Sequence, residues 1–122
     1  MIKTILLVDD SSSIRETVAF FLEEEGYQII KAENGKHGLD KVMENNKINL
    51  ILTDLHMPVM DGIEFIRKVR DIEIYSKIPI VLLTTETLQE KKKAAKAAGA
   101  TAWINKPFNK EQLLKVLKKL LR

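Results

Sequence analysis

Cysteine is absent from this chain of 122 residues, which removes disulfide frameworks, thiolate nucleophiles and cysteine metal sites at once. Only three prolines occur, and no tract is biased toward proline, glycine or serine, so neither a linker nor a disordered segment is expected. No apolar run approaches the roughly 20 residues that a bilayer-spanning helix needs. The start, MIKT, leads straight into a short apolar stretch and then acid, without the longer apolar region and small-residue cleavage site of a signal peptide. A cytoplasmic protein with no membrane contact is the expectation. Glycine-rich phosphate loops of the GxGxxG or P-loop type are missing too. DDSSS (9–13) stands where one would follow the first strand, which argues against a nucleotide- or flavin-binding module.

What is present fits one globular domain over 1–122. A composition 45% hydrophobic, 30% charged and 6% aromatic is that of a folded chain able to bury a sizeable core. The formal charge of +3 comes mainly from KKKAAK (91–96) and KEQLLKVLKKLLR (110–122). Neither stretch interleaves aromatics, so solvated helix faces are expected rather than a nucleic-acid surface. A docking surface for an acidic protein partner is the alternative.

Short β-rich apolar runs alternate with helical periods five times over. The predicted strands are Thr4–Val8, Tyr27–Ala32, Leu50–Thr53, Ile80–Leu83 and Ala102–Asn105. Between and after them come helices at Ser12–Glu24, Gly35–Glu44, a third beginning after Asp61, Leu88–Ala98 and Lys110–Leu121. Ser12 is a candidate N-cap of the first helix, and Ser13 with Glu16 fits a capping box; Asp61 with Glu64 fits a cap of the third. Met43 is assigned to the apolar side of the second helix with Leu39 and Val42, and Leu88 is the only large apolar anchor of the fourth. A (βα)5 order implies an α/β fold with a parallel five-stranded sheet covered by helices on both faces.

ILLVDD (5–10) then poses a problem, because a buried strand runs into two adjacent carboxylates. Two such groups about 4 Å apart at an effective dielectric near 20 repel by roughly 4 kcal/mol. In open parallel sheets, sites form beyond the carboxyl ends of the strands. Those ends carry Asp9 and Asp10, Asp54, Thr84 and Lys106. Mg²⁺ is typically held by one or two carboxylates with waters and a phosphate oxygen, which would relieve the repulsion. Asp54, alone at the end of a buried strand, is the candidate nucleophile toward a phosphoryl group. Lys106 can neutralise phosphoryl charge and the Thr84 hydroxyl can hydrogen-bond a phosphoryl oxygen. Singly these signals are weak, since strand-end carboxylates commonly cap loops and Lys-Pro is commonly an exposed turn. Their joint placement on successive strand ends is what carries the reading.

VDD (8–10), TDLHMPVMDG (53–62), LLTTE (82–86), GA (99–100) and KPF (106–108) resemble the receiver domains of bacterial two-component response regulators, the single-domain chemotaxis type included, along the whole chain. The resemblance implies a flavodoxin-like three-layer sandwich with strand order 2-1-3-4-5. It implies Asp54 as phosphoacceptor, and Asp9, Asp10, Asp54 and the backbone carbonyl of His56 as the Mg²⁺ site. Thr84, Lys106 and Trp103 become switch or phosphate-contacting residues, and Pro107 follows a cis peptide bond. It further implies a sensor histidine kinase or phosphotransfer protein as phosphodonor and a downstream protein target reached through the face of the fourth helix, fifth strand and last helix, in chemotaxis or a phosphorelay. A monomer is expected, with a phosphorylation-linked dimer as the variant state. No activity is expected beyond its own phosphorylation and dephosphorylation.

Some positions depart from the family's common residues. His56, Thr85 and Glu86 occupy places that tune phosphoryl hydrolysis, and Thr85, larger than the usual small residue, suggests slow self-dephosphorylation. Trp103 stands where Tyr or Phe is usual. His37 is read as a surface residue, and Met57 and Met60 as loop packing. Two alternatives are a small aspartate-dependent phosphatase, which would ordinarily place its nucleophile at the first strand and need more chain to enclose substrate, and a pseudo-receiver that binds partners without phosphorylation.

Overall fold

A computed structural model describes residues 2–121. The elements are β1 (Thr4–Val8), α1 (Ser12–Glu24), β2 (Gln28–Ala32), α2 (Gly35–Glu44), β3 (Leu50–Thr53), α3 (Gly62–Arg70), a 3-10 turn at Glu73–Tyr75, β4 (Ile80–Thr84), α4 (Gln89–Ala98), β5 (Ala102–Asn105) and α5 (Lys110–Leu120). All strand pairings are parallel and the sheet order is β2-β1-β3-β4-β5, as the resemblance implied. The reversal of direction falls between β1 and β3, which places the ends of both strands side by side.

Successive strand residues alternate between two cores. Leu6, Val8, Ile51, Ile80 and Leu82 face one cluster, completed by Phe65, Ile66 and Val69 of α3 and Ala95 and Ala98 of α4. Ile5, Leu7, Leu50, Leu52, Val81 and Leu83 face the other, with Val18 and Leu22 of α1 and Leu113 and Leu117 of α5. Each large side chain so buried contributes about 1.5–3 kcal/mol. Both faces of β1, β3 and β4 are covered, which is why these runs read as continuously apolar.

The caps differ in part from expectation. Ser11, not Ser12 or Ser13, caps α1 by accepting the Ile14 N–H, and Glu16 turns away to pair with Lys31 at 3.2 Å instead of closing a capping box. Asp61 caps α3 through the Glu64 N–H as expected, and α5 has a full capping box from Asn109 and Gln112. Two apolar residues expected to anchor helices are exposed. Leu88 precedes α4 and is 59% exposed, so that helix is held by Ala95 and Ala98; Met43 is 71% exposed, because the α2 stripe narrows to Leu39 and Val42. Met57 and Met60 pack against the first cluster as expected. None of the described helices is long and apolar enough to cross a membrane.

Candidate functional site

The carboxyl ends of β1 and β3 meet at a hydrogen bond from Asp54 N–H to the Val8 carbonyl, at 2.9 Å. That register sets Asp9 and Asp54 abreast. Asp9 is buried at 1% exposure, and its Oδ1 accepts the Ser11 N–H at 2.9 Å while its Oδ2 accepts from Lys106 Nζ at 2.9 Å. Asp54 Oδ1 accepts the Leu55 N–H at 2.7 Å and its Oδ2 accepts from Lys106 Nζ at 3.3 Å. Asp10 is exposed beside them. Carboxylate oxygens of Asp9, Asp10 and Asp54 all lie within 4.8 Å of one another. Three hard oxygen donors at this spacing suit a small divalent cation that keeps part of its water shell. Asp9 has both oxygens engaged, so Asp10 is the carboxylate most open to a cation.

The Asp54 carboxyl is pushed above its ordinary 3.8, chiefly by burial and in part by the nearby Asp9 charge. Lys106 and the Leu55 N–H oppose that rise without cancelling it. One ammonium shared between two carboxylates thus leaves Asp54 under-neutralised, with its charged form disfavoured until more positive charge arrives. Lys106 comes from the loop after β5, where its backbone N–H donates to the Thr84 carbonyl at 2.9 Å and the following Lys106–Pro107 bond is cis, as expected.

The structure brings Asp9, Asp10, Asp54 and Lys106 together and sets the remaining predicted residues around them. Thr84, fully buried at the end of β4, uses its Oγ1 to accept the Glu86 N–H at 3.2 Å. Glu86 in turn meets His56 Nε2 at 2.9 Å, joining the β3–α3 and β4–α4 loops across the mouth of the site. Its other oxygen accepts the Thr87 and Leu88 N–H groups at 3.0 Å, and with His56 these hold its carboxyl below the ordinary range against some burial. Thr85 is exposed and lines a cavity of about 460 Å³ between α1 and the Lys106–Phe108 turn. Trp103 stands apart from the carboxylates, on β5 next to α4, its Nε1 donating to Asn105 Oδ1 at 3.0 Å.

Supporting residues carried no assigned role in the sequence. Arg15 of α1 donates to the Asp9 carbonyl, and Ser11 serves both Asp9 and the α1 cap. Gly62 sits so close to the Asp54–Leu55 backbone that a Cβ there would run into the Asp54 carbonyl oxygen and lie 2.9 Å from Leu55 Cα. The MDG triplet hinted at Gly62; nothing local marked Arg15.

Residues 5–118 match the response regulator receiver domain family. The solved chemotaxis response regulator CheY4 of Vibrio cholerae superposes with a TM-score of 0.94 at 45% identity, covering 99% of this chain and 100% of that one. The receiver domain of the sensor histidine kinase PA1611 of Pseudomonas aeruginosa, solved with magnesium in its active-site cleft, gives 0.91 at 26% identity over 99% and 98% of the two chains. The phosphate regulon transcriptional regulatory protein PhoB of P. aeruginosa is 39% identical over 98% of this chain and 52% of its own length. The transcriptional regulatory protein SrrA of Staphylococcus aureus is 36% identical over 100% and 49%. The chain spans about half the length of the curated relatives it matches. A matched family over nearly its full length, a sheet in the order 2-1-3-4-5 and a carboxylate triad at the β1–β3 edge agree: the chain belongs to the response regulator receiver domain family.

Proposed function

We propose that this protein is a phosphorylation-dependent switch of a two-component pathway that takes a phosphoryl group onto Asp54 in a Mg²⁺-dependent reaction. The observation that carries this reading is the meeting of Asp9, Asp10 and Asp54 with one shared ammonium, Lys106, at the β1–β3 edge. An Asp54 carboxylate oxygen forms a bond to phosphorus while the bond from phosphorus to the donor breaks, a phosphohistidine P–N bond in a kinase or phosphotransfer protein or the P–O bond of a small acyl phosphate. The donor group leaves with the electron pair of that bond, and Asp54 becomes an acyl phosphate. Asp10 and Asp54 would hold Mg²⁺ directly, with Asp9 through water and the His56 carbonyl as a further ligand. Bound there, the ion supplies neutralisation of the carboxylates and of the phosphoryl oxygens.

Lys106 then exchanges its Asp54 contact for a phosphoryl oxygen, and the Thr84 hydroxyl turns to donate to another. Two charge-assisted hydrogen bonds contribute about 3–6 kcal/mol. Moving a two-state equilibrium from 1:99 to 99:1 takes about 5.5 kcal/mol, which these two contacts reach only at the upper end of that range. The moving part is the β4–α4 loop with α4, and the output surface is α4, β5 and α5. A cytoplasmic setting and a chemotaxis or phosphorelay output fit this reading.

Incubation with Mg²⁺ and acetyl phosphate tests it. A labile adduct of one phosphoryl group on Asp54, lost in Asp54→Asn and in excess EDTA, is the expected mass spectrum, with a parallel change in Trp103 emission. An unmodified Asp54 would sink the proposal. Steady turnover of assorted phosphate esters would replace it with a phosphatase.

A further inference from the structure

β2 is an edge of the sheet, on the far side from β5. Its Gln28 N–H donates to the Lys3 carbonyl and its Ala32 carbonyl accepts the Asp9 N–H. In a parallel ladder, Gln28, Ile30 and Ala32 therefore turn their backbone groups toward β1, and Ile29 and Lys31 turn theirs outward. The outward row is closed at both ends, where the Tyr27 N–H donates to the Leu22 carbonyl and the Glu33 N–H to His37 Nδ1, each at 3.2 Å. Between those ends, the N–H and C=O groups of Ile29 and Lys31 have no partner among the described residues. A lysine commonly guards such an edge, but Lys31 is drawn onto Glu16 of α1. Ile2, Tyr27 and Ile29 line a groove of about 520 Å³ with Glu23 at the start of the row, and Glu33 stands exposed at its end. Among the described residues neither Glu23 nor Glu33 makes an ion pair, whereas Glu16, Glu24, Glu25, Glu44 and Glu86 do. A second copy paired edge to edge would bring its own Glu16 and Glu23, so carboxylates would outnumber the two Lys31 ammonium groups and self-pairing is disfavoured.

We infer that the β2 edge takes up an extended basic segment of a partner protein as an added strand. The backbone of Ile29 and Lys31 supplies two donors and two acceptors to it, which hold a strand of any sequence. Selection comes from the flanks, where an apolar side chain fills the groove against Ile2, Tyr27 and Ile29, and basic side chains at the two ends meet Glu23 and Glu33. Five residues of β2 separate those carboxylates, so the basic residues stand about six positions apart, an even step that an extended strand keeps on one face. This edge is separate from the carboxylate cluster and from the face of α4, β5 and α5, so strand addition stands or falls without the chemistry of Asp54.

The test titrates the full chain, labelled with ¹⁵N, with a synthetic peptide of alternating threonine and valine between terminal lysines, reading amide exchange and affinity by NMR. Saturable binding is expected, with exchange of the Ile29 and Lys31 amides slowed at least about tenfold. Two further peptides carry backbone N-methyl groups on alternate residues, one on the odd positions and one on the even. One of them should bind at least about tenfold more weakly and the other like the parent, because only one row of amides faces β2. Affinity should fall at least about fivefold in Glu23→Gln/Glu33→Gln and with glutamates in place of the terminal lysines. The Glu90→Gln/Glu111→Gln control, which removes the same charge elsewhere, should bind like the unaltered protein, and circular dichroism checks that every variant is folded. No binding, equal affinity for both methylated peptides, undiminished binding by the folded Glu23→Gln/Glu33→Gln variant, or an equal loss in the control would each overturn the inference. Protection of Ile29 and Lys31 that grows with protein concentration alone would also overturn it, and would assign the edge to a second copy.

Discussion

At the scale of single residues, Asp54 sets its charged form against the stability of the fold. Its carboxyl is raised in the fold by burial first, with Lys106 opposing and Asp9 adding, so folding disfavours the charged form. The unfolded chain, with an ordinary carboxyl near 3.8, binds fewer protons at Asp54 than the folded one. Asp54 therefore contributes its full stability only below that value and loses it as pH rises through the raised pKa. Without divalent cations, Asp54→Asn is expected to melt higher than the unaltered protein at neutral pH, the gain shrinking as the buffer is taken down toward the ordinary carboxylate pKa. Thermal melts in EDTA across that range check both the sign and the window. Val59 gives a second case. It is 76% exposed with φ at 70°, a left-handed conformation that a β-branched residue resists. Val59→Asn should stabilise the fold by about 1 kcal/mol in urea unfolding, since asparagine tolerates that region and no core contact is lost. The strand-end carboxylates and Lys106 were legible in the sequence because they stand at or just past the carboxyl ends of recognisable β-rich runs. The left-handed turn at Val59 and the His56–Glu86 bridge were not, since neither valine nor a histidine thirty positions from its partner carries a local mark.

At the scale of elements, α3 and α4 are joined by one side chain. Arg70, at the end of α3, donates from Nε and Nη2 to the Gly99 carbonyl at 3.1 and 2.6 Å, and from Nη1 to the Tyr75 carbonyl at 3.1 Å. Gly99 closes α4 with φ at 120°, so the guanidinium fastens the far end of the helix whose near end follows the β4–α4 loop. Arg70→Met should cost about 2–3 kcal/mol in urea unfolding, since it removes charge-assisted hydrogen bonds and leaves carbonyls without their donors. Hydrogen exchange in α4 should rise at its C-terminal turn. This clamp was invisible in the sequence, where Arg70 reads as an ordinary basic end of a helix. The strands were read well because their burial on both faces leaves a compact apolar signature. The α4 anchor was misread because Ala95 and Ala98 pack by close approach, and small residues give little periodic signal. Three consecutive serines each qualify as a cap; only the turn that folds the Asp9 carboxylate back onto the Ser11 N–H selects Ser11.

For the whole molecule, a cation that binds only the folded site stabilises every part of it. At a free concentration one hundred times the dissociation constant the gain is about 2.7 kcal/mol. On the proposed function, saturating Mg²⁺ should raise the melting temperature, and Asp10→Asn should remove most of that rise while leaving the melt in EDTA little changed, because Asp10 is exposed. Differential scanning calorimetry with and without the ion decides it. The architecture itself was legible from five alternations of period and a handful of strand-end residues. Which helix covers which face followed only once the order β2-β1-β3-β4-β5 was in hand.

Lys106 reaches Asp9 across 97 positions of chain and Asp54 across 52. A ribosome that has released the protein as far as Gly99 has delivered all three clustered carboxylates but not the lysine that lies between two of them. On the proposed function, a nascent chain at that point is deaf to its kinase. The ability to receive a signal then waits on the docking of β5, however much of the carboxylate cluster is already made.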